Sequence, residues 1–333
     1  MGIDPPSPTS MVEIRTGLTF LFGPEGACKG SDEVPCGATG DVPLQFPKVS
    51  VTLEPFAIDS DEVTNFQFQY CVDKGGCKEG DPVSFNAVAQ SQRDYYRTEQ
   101  FKNFPVVFVT WKQADEYCKF VGKRLPTEIE WERVAKGGAA PRQFALEESL
   151  NVGSDCGGLL NALGCGGDQI TEEAGQSDHD FVLENGSKIF HMASNVAEWT
   201  DTWYQIDMTC QMDAPCKRID QCKTITDPTA RTACENQTVS CPGCASVPAS
   251  DGACYFQCDG TATRSIICNQ FTATGIDPAD ILPTSGSDKV IRGGSVSTSR
   301  SQLCLLHSWN RDTRNSITFT SPSVGFRCAK TLQ

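Results

Sequence analysis

A chain of 333 residues with 28 Lys and Arg against 42 Asp and Glu carries a formal net charge of −14. That balance argues against nucleic acid as a partner, because phosphate binding draws on clustered positive charge. No apolar run approaches the roughly 20 residues that span a bilayer, so no membrane span is expected.

Eighteen cysteines, an even number with several close pairs, argue against a reducing cytosol. The expected location is extracytoplasmic: secreted, periplasmic or at a cell surface. Met1-Gly2-Ile3-Asp4-Pro5-Pro6 has neither the basic nor the apolar region of an export signal. The chain is therefore expected to begin after a removed signal.

In chain order, residues 1–10 read as a flexible segment. Residues 11–23 and 46–58 alternate apolar and polar positions with β-formers and predict strands. Asp59 to Asn65 is expected to lead into a short helix through about Val72, with Phe68, Cys71 and Val72 at i, i+3 and i+4. Thr110 with Gln113 forms a capping-box pattern that opens a helix to about Val121, and Gly122 follows as its terminator. Thr127 with Glu130 repeats the pattern for a helix that stops at Gly137-Gly138, with Trp131 and Val134 or Ala135 sharing a face. Close spacing suggests the bridges Cys28–Cys36, Cys71–Cys77 and Cys156–Cys165. Asp178-His179-Asp180 and the pair Glu172-Glu173 read as solvated.

Residues 205–286 are rich in Cys, Thr, Pro and Asp and have hardly any aliphatic run. Such a segment cannot bury a core of its own, and disulfides must supply its order. Cys241-Pro242-Gly243-Cys244 with Cys254 and Cys258 imitates a four-thiolate zinc knuckle, although bridges are the better reading in an oxidising compartment. Asn185-Gly186-Ser187 and Asn236-Gln237-Thr238 are glycosylation sequons.

Several blocks resemble formylglycine-generating (sulfatase-modifying) enzymes: Phe56-Ala57-Ile58-Asp59, Glu62-Val63-Thr64-Asn65, Gly122-Lys123-Arg124-Leu125-Pro126-Thr127-Glu128 and Glu130-Trp131-Glu132. They are followed in the family's order by Asn195-Val196-Ala197-Glu198-Trp199, Val290-Ile291-Arg292-Gly293-Gly294-Ser295 and Val324-Gly325-Phe326-Arg327-Cys328. The resemblance covers residues 11–204 and 287–330. It implies one domain over 11–333, interrupted by a cysteine-rich insertion at 205–286. The implied fold is α+β and C-type-lectin-like, low in regular secondary structure, with Trp111, Trp131, Trp199 and Phe326 in the core. It also implies a bridge between Cys118 and Cys328.

The family's chemistry is oxidation of a substrate cysteine by dioxygen on copper held by two thiolates, a pairing suited to soft Cu(I). Counting back from Cys328, the second thiol falls on Cys304. The first falls on Ser299, or on Thr298 when counted forward from Arg292, and neither has sulfur. The tryptophan that active members place beside the oxygen site is Ala197 here, while Ser295 is retained. These losses point to a non-catalytic binding or scaffold protein. The alternative is a divergent copper-dependent oxidase acting on sulfatase cysteines, using Cys304 and Ser295 with a thiol from the insertion.

The resemblance also assigns Ca²⁺ to the carbonyls of Ser194 and Val196 and the carboxylate of Glu198, with His191 where a fourth oxygen ligand is usual. The competing reading has Glu198 capping backbone donors in a buried turn. A second calcium site would start at Asn151 and Val152, with Asp168 as its downstream candidate. Related folds bind ligands through the C-terminal stretch, which here holds Arg300, His307, Trp309, Arg311 and Arg314. That mixture suits an extracellular protein, peptide or glycan ligand.

Parity adds one expectation. Once the four expected bridges are set aside, Cys304 and the nine insertion cysteines remain. If all are oxidised, Cys304 pairs with the insertion.

Overall fold

The computed structural model describes residues 6–7, 9–23, 49–80, 95–137, 145, 171–177, 180–204, 229, 238–239, 247–248, 253–257, 265–269, 285–296, 298, 308 and 311–332. The two early strand regions are each split where the sequence cannot keep the backbone extended. β1 (Met11–Ile14) and β2 (Thr19–Phe22) are separated by a turn at Gly17. Its φ of +58° is left-handed, and a Cβ there would meet the Arg133 guanidinium at 3.0 Å. β3 (Val49–Thr52) and β4 (Phe56–Asp59) part at Glu54-Pro55, where proline has no N–H for a ladder.

The three helices start alike. α1 (Asn65–Asp73), α2 (Trp111–Phe120) and α3 (Glu128–Ala135) open on Thr64, Thr110 and Thr127, each accepting from a backbone N–H three residues on. Gln67, Gln113 and Glu130 return the bond to the threonine N–H, so all three capping boxes are complete. Every residue of α3 is buried, although half of them are charged. Buried charge persists only when paired. Accordingly, Lys136 bonds Glu132 at 2.8 Å, while Arg133 bonds Glu184 and the carbonyls of Thr16 and Gly17.

Two sheets receive these helices. One has the order β1-β4-β15, where β15 is Ala329–Thr331, and is antiparallel throughout. The other has the order β13 (Arg311–Ser316), β12 (Asp288–Arg292), β7 (Ala197–Trp203) and β14 (Val324–Gly325), with β14 parallel to β7. β5 (Phe181–Glu184) and β6 (Ser187–Phe190) form a hairpin through Asn185-Gly186, both at positive φ as a tight two-residue turn requires.

Inside the insertion, β8 (Thr238–Val239) pairs with β9 (Val247–Pro248). β10 (Ala253–Gln257) pairs with β11 (Ser265–Asn269), placing Cys254 opposite Cys268 in register. Trp203 and Lys289 are register partners, and Tyr204 N–H donates to the Asp288 carbonyl at 2.7 Å. The chain thus leaves the sheet after Tyr204 and returns to it at Asp288 on the neighbouring strand.

One apolar cluster joins β1–β4 to Ile129, Trp131 and Val134 of α3. A second joins α1 and α2 to Trp199, Ile291, Val324 and Phe326. Phe326 meets Phe68 and Tyr117 edge-on, with ring centroids 6.4 and 5.6 Å away. Trp131, Trp199 and Phe326 are core residues as expected. Trp111 lies at the margin of the second cluster, half-buried and packed against it on one side and against Trp203 and the ammonium of Lys289 on the other.

The bridges Cys71–Cys77 and Cys118–Cys328 are both formed. The expected pairs Cys28–Cys36 and Cys156–Cys165 lie outside the described residues. No helix among the described residues is long and apolar enough to cross a membrane.

Candidate functional site

The four-stranded sheet brings the separated sequence blocks together. Glu198 on β7 is the register partner of Arg292 on β12 and of Gly325 on β14, and Ala197 faces Val324. Gly325 has to be glycine, because a Cβ would lie 2.7 Å from the Val106 carbonyl. Past β12, Gly293 turns at φ +81° beside Trp131. The chain then zips onto the 193–196 loop, with Gly294 N–H to the Ala193 carbonyl at 3.0 Å and Val296 N–H to the Asn195 carbonyl at 2.9 Å. Ser295, between these contacts, is buried.

Thr298 closes a turn on Ser295. Its Oγ1 accepts the Ser295 N–H at 2.9 Å, and its own N–H donates to the Ser295 carbonyl at 2.9 Å. The hydroxyl at this candidate thiol position is therefore committed to local structure. Ser299 and Cys304, the other copper candidates, lie outside the described residues. Copper held by two thiolates does not fit this residue set, since neither Thr298 nor Ser299 has sulfur.

Beneath the loop lies a connected set of buried charges. Glu198 accepts from Arg327 Nε at 2.8 Å on each oxygen, from Arg327 Nη2 at 2.6 Å and from Trp131 Nε1 at 2.8 Å. Burial raises the Glu198 carboxyl above its ordinary value, and the Arg327 guanidinium opposes that rise. Arg327 also donates to the carbonyls of Asp59 and Phe190. Arg292 sits nearby with Nη2 2.6 Å from Glu132 Oε2 and 3.4 Å from Glu128 Oε2. Burial pushes the Glu132 carboxyl up, but Lys136 and Arg292 outweigh it and hold the group below its usual range.

His191 opens the segment between β6 and β7 at φ +57°, uncommon for a non-glycine residue. Its Nδ1 lies 3.0 Å from Glu62 Oε2 and its Nε2 lies 3.4 Å from Glu172 Oε2. Burial works against the imidazolium, yet Glu62, Glu172 and Asp180 together hold His191 well above the usual imidazole range. Asn195 Nδ2 donates to Glu62 Oε1 at 3.0 Å, and its Oδ1 accepts the Glu172 N–H at 2.9 Å. Asp180 accepts the N–H groups of Ala193 and Ser194 and the Ser194 hydroxyl.

Two expectations are corrected by this network. Asp180, read as part of a solvated loop, is fully buried because three donors converge on it. Glu172 is only partly exposed, since it faces His191. Glu62, Asp180, Asn195 and Arg327 were not singled out as site residues. For Glu62, Asn195 and Arg327 the available signal was their presence in the blocks that carry the resemblance, whereas Asp180 lies in none of them.

The calcium donor set does not fit either. The Glu198 carboxylate is occupied by guanidinium and indole hydrogens, and His191 supplies a ring held between two carboxylates instead of an oxygen. Among the described residues, no three His, Cys, Asp or Glu side chains converge as a metal site. Asn151, Val152 and Asp168 lie outside the described residues, as do Arg300, His307 and Trp309. Arg311 and Arg314 lie on β13, at one edge of the four-stranded sheet.

The sulfatase-modifying factor enzyme 1-like domain family matches residues 4–332. The formylglycine-generating enzyme of Mus musculus is 26% identical over 235 residues, which is 60% of this chain and 59% of that protein. The inactive C-alpha-formylglycine-generating enzyme 2 of Bos taurus is 26% identical over 230 residues, 58% of this chain and 74% of that protein. The structure of PvdO from Pseudomonas aeruginosa superposes with a TM-score of 0.54 at 19% identity, covering 97% of this chain and 94% of that one. That last likeness is one of fold.

Proposed function

Because the chain belongs to the sulfatase-modifying factor enzyme 1-like family, we propose that it keeps the family's frame without its oxidase chemistry and acts outside the cytoplasm as a binding or scaffold protein. The observation that carries this reading is the missing first thiol, since the residue at one candidate position, Thr298, uses its hydroxyl to hold the Ser295 turn. A single remaining thiol at Cys304 cannot reproduce a two-thiolate Cu(I) site. Ala197 in place of the oxygen-site tryptophan is an independent loss at the same place. That a bovine relative of similar identity is described as inactive is in keeping with such losses within the family.

The Cys71–Cys77 and Cys118–Cys328 bridges support an oxidising location. Ligand contact is assigned to the insertion and to residues 296–323, where Arg311 and Arg314 are positions on the edge strand β13. Carboxylate, peptide and glycan ligands suit that mixture of guanidinium and aromatic groups.

The test is copper-dependent turnover of a sulfatase-motif peptide. No aldehyde product is expected from copper-loaded protein. Aldehyde that disappears in Cys304→Ser would overturn the reading and restore the oxidase alternative.

A further inference from the structure

We propose that the position where the family resemblance puts calcium is filled in this chain by side chains. Arg327 and Trp131 occupy the Glu198 carboxylate, and His191 and Asn195 occupy that of Glu62, so that the loop from His191 to Val196 is held without a metal ion. The first support is the count of hydrogens around each carboxylate. A carboxylate offers about four acceptor positions. Glu198 already receives two N–H groups of Arg327, the Nε–H shared between both oxygens and one Nη2–H, together with the Trp131 Nε1–H. Glu62 receives Asn195 on one oxygen and His191 on the other. Asp180 receives two backbone N–H groups and a hydroxyl. A calcium ion would have to break several of these contacts to gain its six to eight oxygens.

The second support is the ligand type. Asn or Asp would offer a hard oxygen at position 191, whereas an imidazole is a poor partner for a hard cation. Here both ring nitrogens point at carboxylates, with Nδ1 3.0 Å from Glu62 and Nε2 3.4 Å from Glu172.

The third support is the loop itself, whose backbone is tied to neighbouring protein groups at several points. The His191 N–H donates to the Asp180 carbonyl at 2.8 Å, and Gly294 and Val296 donate to the Ala193 and Asn195 carbonyls. These bonds hold two left-handed residues, His191 at φ +57° and Asn195 at φ +63°.

The experiment compares thermal unfolding of wild type and His191→Asn in EGTA and in millimolar calcium, with the nitrogen-15 resonances of the wild-type His191 ring recorded in both. The ring resonances are expected to stay in place when calcium is added. His191→Asn is expected to unfold earlier than wild type in EGTA. Calcium should then raise its midpoint by about 3 °C or more beyond any rise in wild type, since a restored oxygen site couples binding to folding. Movement of the wild-type ring resonances with calcium would overturn the proposal, as would a calcium response no larger in His191→Asn than in wild type. If the variant folds in neither condition, the wild-type resonances decide alone.

Discussion

Asp59 ends β4 with its carboxylate buried, accepting the Cys328 N–H at 3.0 Å and an ion pair from Lys123. Burial pushes its pKa up to about 6, against the opposing pull of Lys123, the Cys328 N–H and Arg327. A carboxyl raised in the fold binds its proton more tightly there than in the unfolded chain, so its contribution favours folding at low pH and fades as pH rises through 6. Relative to Asp59→Asn, wild type should therefore gain about 1 kcal/mol of stability between pH 7.5 and pH 5, on the scale of 1.4 kcal/mol per pKa unit. Urea midpoints of the two proteins at both pH values measure the difference. A gap that stays constant or narrows toward pH 5 would show that Lys123 dominates the group instead.

The helices are set by short-range chemistry. At α3, Thr127 takes the Glu130 N–H, and Glu130 returns to the Thr127 N–H while holding Arg124 through both oxygens. Thr127→Ala removes the cap and should cost about 1–2 kcal/mol, lowering the urea midpoint without changing the slope, and Thr127→Ser should restore most of it. Such boxes are readable in a sequence because donor and acceptor are three residues apart, which is why two of the three helix starts could be placed to the residue. Strand regions were legible as regions, while their breaks at Gly17 and Pro55 depended on φ and on a missing donor. The charged interior was not legible. Glu62 and His191 are 129 positions apart, and Glu198 and Arg327 are equally distant in sequence. Nothing in the local pattern around Asp178-His179-Asp180 reveals that the last of these residues meets the Ala193 and Ser194 amides. The Cys118–Cys328 bridge came with the family resemblance, since no spacing argument joins residues 210 positions apart.

At the scale of the whole molecule, the insertion is an excursion from a closed hairpin base. Lys289 pairs in register with Trp203, and its ammonium lies 4.2 Å from the Trp111 ring, 3.9 Å from the Trp203 ring and 2.8 Å from Asp201. Cation–π contacts of this kind contribute about 1 kcal/mol each when partly buried. The base is thus tied by side chains that belong to the frame and not to the insertion. Cys118–Cys328 ties the last segment to α2 across a separation of 210 residues, a closure worth about 5 kcal/mol on the chain-entropy model. Replacing residues 206–285 with a short glycine-containing turn should therefore leave the frame folded, with near-ultraviolet circular dichroism like that of wild type. The same variant tests the pairing of Cys304. The insertion carries nine of the eighteen cysteines, so its removal leaves an odd number and at least one free thiol. Denatured wild type should show none in a thiol count. The shortened protein should show one, and mass mapping should find it at Cys304, because its expected partner has been deleted while the Cys71–Cys77 and Cys118–Cys328 bridges stay within the frame. A free thiol mapped anywhere else in the shortened protein, or a free Cys304 already present in wild type, would mean that the insertion does not cap this cysteine and that a thiol stands available at the family's active-site position.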